Sequence, residues 1–189
     1  YENSYGKSKD YNFWNFGLKG QVVYRINGRN FLVYNGAMFN QAPFLEDLFI
    51  NPRINALVNP TIRSTVYTAN DLSYVVSTPF VKVRATAYLV DTQNETNVQR
   101  FFADGIQLNN TNPDGTVSQV QSAFVTQVMS NVEKRNMGAE LGVDVKVLPT
   151  LSLQGLASYG QFVYRNNPDV YLVSDASGSS VTSFGKAYI

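Results

Sequence analysis

Between Met137 and Tyr159 the chain writes two strands and the turn that joins them. The odd positions are Met137, Ala139, Leu141, Val143, Val145 and Val147, and the even ones are Gly138, Glu140, Gly142, Asp144 and Lys146. An alternation of period two gives a strand one apolar and one polar face. Leu148, Pro149 and Thr150 interrupt it, after which Leu151, Leu153, Gly155, Ala157 and Tyr159 resume the apolar series. A three-residue loop pairs Val147 with Leu151 and Val145 with Leu153, so the two apolar series share a side. Strands of soluble sheets run to about five or six residues, whereas a strand that crosses a bilayer needs ~9–11 tilted residues. The hairpin is expected to be a piece of membrane-barrel wall.

The same texture recurs along the chain. Strands are expected at about 11–26, 29–40, 62–77, 80–102, 122–147, 151–165 and 183–189, with long loops at 41–61, 103–121 and 166–182. In the first strand Trp14, Phe16, Leu18, Gly20, Val22, Tyr24 and Ile26 share a face, and Asn27-Gly28 is the dipeptide of a type I′ hairpin turn. That turn pairs Tyr24 with Phe31 and sends Phe31, Val33 and Ala37 outward together with Asn35. The opposite parity sends out Leu32, Tyr34, Gly36 and Met38, and the facing of 29–40 stays open. In the fourth strand Val81, Val83, Ala85, Ala87 and Leu89 oppose Lys82, Arg84, Thr86 and Tyr88. Within 41–61, Leu45, Leu48 and Phe49 have helical spacing, which predicts a single helical turn. Short turns at 27–28, 77–80 and 148–150 alternate with the long loops, the layout of an up-and-down membrane barrel.

Composition removes most chemistry. The 189 residues contain no Cys and no His, so disulfides, thiolate nucleophiles and the commonest general base and metal ligand are missing. A net charge of +1 without a basic run gives nucleic acid nothing to hold. No apolar run approaches the ~20 residues of a transmembrane helix, so any crossing is by strands. Aromatics at 13% suit the girdles of an outer-membrane barrel. The sequence starts at Tyr1 and is read as an internal fragment of a longer protein. Asn110-x-Asn112-x-Asp114-Gly115 touches a calcium-loop pattern, but Gln121 stands where a bidentate Glu belongs, and Pro113-Asp114-Gly115 reads as a turn. The exposed acids Glu46, Asp47 and Asp104 define no pair flanking a bond. No catalytic, cofactor or metal residues are expected, and no enzyme activity. Lys82, Arg84, Glu140, Asp144 and Lys146 are expected to face a polar lumen. Phe101, Phe102, Asp104 and Tyr171, at loop bases or tips, are the candidate ligand contacts.

Several runs, in order, resemble the TonB-dependent outer-membrane receptors. DLSYVVSTPFVKVRATAYLVDTQNET, from Asp71 to Thr96, looks like one of the family's barrel hairpins. NVEKRNMGAELGVDVKVLPTLSLQGLASYG does too, with Asn131 followed by the Gly138-x-Glu140 that opens a strand. NGAMFNQAPFLEDLFINPRIN is similar to a loop of the branch that carries an N-terminal carboxypeptidase-like domain. The resemblance implies a 22-stranded barrel in the bacterial outer membrane, of which this chain supplies about six or seven strands. It implies outer-membrane lipid, an imported scarce solute such as a siderophore or oligosaccharide, and a TonB-type energy-coupling protein acting through a plug domain as partners. Physics alone also allows a passive porin or lipase-like barrel, and less readily a soluble β-rich adhesion module.

Overall fold

The alternating segments pair into one antiparallel sheet in a computed structural model that describes residues 2–4, 6–51, 56–59, 61–111, 116–174 and 182–186. A short ladder of β1 (Glu2–Asn3) with β2 (Gly6–Lys7) stands apart. The main sheet holds β3 (Gly17–Arg25), β4 (Asn30–Gln41), β5 (Thr65–Ser77), β6 (Val81–Thr111), β7 (Val117–Leu148), β8 (Leu151–Tyr164), β9 (Asp169–Ser174) and β10 (Thr182–Lys186). Its order is β10-β9-β7-β6-β5-β4-β3, with β8 also paired to β7. β8 and β9 lie end to end along one edge of β7, opposite 134–148 and 125–130 respectively. The chain is therefore all-β, antiparallel and up-and-down, and the sheet is open: β3 and β8 do not meet.

Register settles the facing of the second long strand. Tyr24 lies opposite Leu32 and Val22 opposite Tyr34, so Leu32, Tyr34, Gly36 and Met38 join the apolar side. The type I′ expectation fails because neither Asn27 nor Gly28 takes a positive φ. Instead Ile26 donates its N–H to the Asn30 carbonyl at 3.0 Å, leaving the three-residue loop 27–29, in which Asn27 Oδ1 accepts the N–H groups of Arg29 and Asn30 at 2.9 and 3.0 Å. One more residue in the loop shifts the partner of Tyr24 by one, which turns every side chain of β4 over. The turn after β7 departs the other way and is tighter than expected: Leu148 pairs with Leu151 across Pro149-Thr150, and an irregularity after Lys146 absorbs the odd residue. Val145 does oppose Leu153.

Three boundaries move. The first long strand starts at Gly17 rather than 11, and Trp14 and Phe16 are held by a side chain instead. Asn40 Oδ1 accepts the Phe16 N–H at 2.6 Å while Asn40 Nδ2 donates to the Trp14 carbonyl at 2.6 Å. The expected loop 103–121 is mostly strand, since β6 runs to Thr111 and β7 starts at Val117. At ~3.3 Å per residue, each strand of this ribbon is about 100 Å long. The expected loop 166–182 gives up 169–174 to β9. Residues 112–115, which hold most of the calcium-like pattern, lie outside the described residues, as do 187–189 of the last expected strand.

The long ribbon changes character at one level. Asn94 and Asn131 both sit in the left-handed region, at φ 58° and 59°. The β6–β7 register slips by one between Thr92 and Glu95 and slips back between Glu95 and Asn97. These are compensating bulges, one on each strand, and Asn is among the residues that tolerate such a φ. In the bend between β8 and β9, Asn166 completes the level: its Oδ1 accepts the Glu133 N–H at 3.0 Å and its Nδ2 donates to the Asn131 carbonyl at 2.6 Å.

The packed core lies beyond this level, not on the alternating part of the sheet. Ile50, Val128 and Val173 are fully buried together, with Val98 and Tyr171 against them. Val98, Val128 and Tyr171 share one row of the sheet. Ile50 comes from the connection between β4 and β5, which opens with one helical turn, α1 (Leu45–Leu48), as the spacing predicts. A bridge pairs Phe49 with Val58 and doubles the segment back. Asn59, fully buried, then fastens it: Nδ2 reaches Ser130 Oγ at 3.1 Å, and Oδ1 accepts the Thr61 N–H at 3.1 Å. What reads as a long loop is a strap laid on the ribbon.

Candidate functional site

The alternating part of the sheet has two chemically distinct faces. Val22, Tyr34, Leu72, Ala87, Ala139 and Tyr159 form one cross-strand row, with Leu18, Met38, Tyr74, Ala85, Leu141 and Leu153 in other rows of the same face. This apolar face is uncovered: Leu18 is 75%, Leu72 51%, Leu141 44% and Tyr159 68% exposed. It also carries a depression of about 580 Å³ floored by Ala85, Ala87, Ala139 and Ala157. The apolar series ends at a charged group. Arg135 holds Asp91 with two bonds of 2.7 and 2.8 Å, and Arg165 approaches the same carboxylate at 3.8 Å. On the polar side at this level Lys134 pairs with Glu95 at 2.7 Å and sits over the Tyr164 ring.

The opposite face is polar and cross-linked. Gln21, Asn35, Asp71, Tyr88, Gly138 and Gly160 are one continuous row from β3 to β8. Gln21 Nε2 donates to Asn35 Oδ1 and Asn35 Nδ2 to Asp71 Oδ1, both at 2.8 Å. Tyr88 then lies flat across the two glycines, where a Cβ on Gly138 would meet its hydroxyl at 2.6 Å and one on Gly160 at 2.9 Å. One row below, Ser73 and Thr86 share a hydrogen bond of 2.8 Å. Such cross-strand contacts tie neighbouring strands without needing a core above them.

The residues singled out for the lumen all fall on this polar face. Lys82 is directly opposite Asp144, Arg84 opposite Gly142, Glu140 between Thr86 and Ser158, and Lys146 opposite Ser152. The four candidate ligand contacts do not come together. Phe102 packs edge-on against its partner Phe124, with ring centres 5.2 Å apart, and Asp104 is two residues further along the same face. Phe101 points to the other side by alternation. Tyr171 packs against the core that the strap completes, which makes it a structural residue. The alternation alone does not disclose the Asp91–Arg135–Arg165 group, the polar ladder or the Asn59 anchor, because each joins residues from distant strands or loops. Among the described residues no cluster of His, Cys, Asp or Glu is arranged to hold a metal.

The strap carries one group in a strained state of charge. The β5 partner of β6 ends at Gln93, and beyond it the Val98 N–H donates to the Asp47 carboxylate on the open edge. Burial, and then the neighbouring Glu46, push the Asp47 carboxyl above the ordinary carboxylate range. A raised acid contributes docking stability that is complete at low pH and lost as pH rises through the raised value. Asp47→Asn keeps an oxygen for the Val98 N–H and removes the charge. It is expected to slow proteolysis of the strap near neutral pH and to abolish the pH dependence of that rate. An unchanged rate for the variant at pH 7 would show that ionised Asp47 does not oppose docking.

Compared with protein-family models, with curated proteins and with solved structures, the chain matches none.

Proposed function

We propose that this chain is part of the wall of an outer-membrane β-barrel receptor that actively imports a scarce solute. One observation carries the reading. Six adjacent strands present one continuous apolar face with nothing over it, while the packed core sits elsewhere, on the strap and ribbon. Soluble monomers rarely expose contiguous apolar patches beyond a few hundred Å², so this face calls for an apolar solvent. Its height agrees with a bilayer: residues 81–90 of β6 extend about 33 Å, or roughly 25 Å when tilted. The charged group at Asp91 then marks the outer rim, and the ribbon beyond it stands in the extracellular space. The opposite face lines the lumen with Lys82, Arg84, Glu140, Asp144 and Lys146. The resemblance of the sequence runs to TonB-dependent receptors adds the energy-coupling partner and the plug. With the wall assigned to lipid and water, ligand discrimination falls to the ribbon and strap, which carry the exposed Phe101, Phe102 and Asp104.

The test is uptake of the cognate solute by cells with and without the inner-membrane energy-coupling protein. Uptake is expected only in its presence. Equal uptake in both would replace the active importer by a passive porin, which shares the same wall.

A further inference from the structure

We infer that the polar face carries an anion-binding recess near its short-turn rim, suited to a small solute with two or more carboxylates. The recess has a volume of about 480 Å³ and is lined by Lys82, Arg84, Gly142, Asp144, Gln154 and Leu156 among others. Its floor is open because Gly142 has no side chain, and a Cβ built there meets nothing within 4 Å. Arg84 is the register partner of that glycine, with Val75 on its other side and Leu156 beyond the glycine. Lys82 and Arg84 are two residues apart on one face, which sets them about 7 Å from each other. That spacing lets two carboxylates of one molecule each meet a cation, with Arg84 offering a planar fork.

The charge balance favours anions. Arg25 shares the row of Arg84, and Lys146 stands at the same end of the face. Four cations thus face two carboxylates there, Asp144 and Glu140. The ion pairs among the described residues are Lys134–Glu95, Arg135–Asp91 and Arg165–Asp91, and none engages these four cations. Asp144 instead accepts a long bond from Gln154 Nε2 at 3.4 Å. Cations without ion-pair partners on a concave wall raise the local concentration of anions.

The inference rests on the reading of this face as the wall of an aqueous lumen, and one experiment separates the two. The 189 residues have no Cys, so Arg84→Cys and Val143→Cys each add a single label site to this segment of the full-length protein, and the protein without either substitution supplies the background labelling. In lipid nanodiscs a water-soluble maleimide is expected to modify Arg84→Cys and spare Val143→Cys. Citrate is the binding probe, titrated calorimetrically at low ionic strength against wild type, Lys82→Gln and Arg84→Gln. Each neutralisation is expected to weaken citrate about tenfold, equivalent to ~1.4 kcal/mol. Protection of Val143→Cys with citrate binding absent, or unchanged in both Gln variants, would overturn the recess and leave the barrel standing. Equal labelling of the two Cys variants would overturn the barrel reading and the recess with it.

Discussion

Arginine in place of Val143 is expected to destabilise the full-length protein in lipid by about 2–4 kcal/mol, the cost of a cationic side chain on a lipid face near the bilayer midplane. Val143 sits between Val83 and Gly155 in the middle of the apolar series that runs from Met137 to Val147. Its replacement has no carboxylate in its own row, since the charges at Asp144 and Glu140 are on the other side of the sheet. The comparison that isolates the environment is Ser158→Arg, which places the same side chain on the polar face opposite Glu140. An exposed polar position with an acidic neighbour tolerates it within about 0.5 kcal/mol. Urea unfolding in vesicles measures both. Equal costs for the two variants would mean that both faces meet water, and the membrane-barrel reading would fall.

How much of this was legible in the sequence follows from what each segment has to satisfy. The strands at 81–90 and 137–147 must present one face to an apolar and one to a polar surrounding, so their composition alternates and their facing can be read directly. Beyond the bulges at Asn94 and Asn131 that demand lapses. The ribbon from 99 to 111 continues as strand with composition that no longer alternates, and it therefore resembles a loop on paper. The facing of β4 turned on whether Asn27 began a two- or a three-residue connection, a choice made by one side-chain carbonyl accepting two N–H groups. Two features of the site needed register. Arg135 and Asp91 are 44 positions apart and meet only because β6 and β7 pair at that offset. Asn59 and Ser130, 71 positions apart, meet only because the strap folds over. The helical turn at Leu45–Leu48, a purely local matter, was legible.

Gly138→Ala is expected to cost about 1–3 kcal/mol, the usual penalty for forcing atoms into a filled site, and the more informative result is how little Tyr88 has to do with it. A Cβ at Gly138 collides with two things, the hydroxyl end of Tyr88 and the backbone carbonyl of Tyr159 on the paired strand. The tyrosine end can swing aside, but the carbonyl belongs to β8 and moves only if the 138–160 pairing opens. Gly160 lies next to it in the same row, and there the nearest neighbours of the added carbon are side-chain atoms, the Tyr88 hydroxyl at 2.9 Å and the Phe162 ring edge at 3.6 Å. Gly160→Ala should therefore cost less than about 1 kcal/mol, mostly through displacement of that hydroxyl. Tyr88→Phe deletes the oxygen and keeps the ring over both glycines. In a double-mutant cycle it should relieve most of the cost of Gly160→Ala and little of that of Gly138→Ala, with the coupling read from unfolding midpoints. The same measurement tests the polar row as built, from the Gln21–Asn35–Asp71 bonds to the ring resting on glycine. Equal costs at the two glycines, or full rescue of Gly138→Ala by Tyr88→Phe, would show that the ring alone sets the spacing of β7 and β8 at this row.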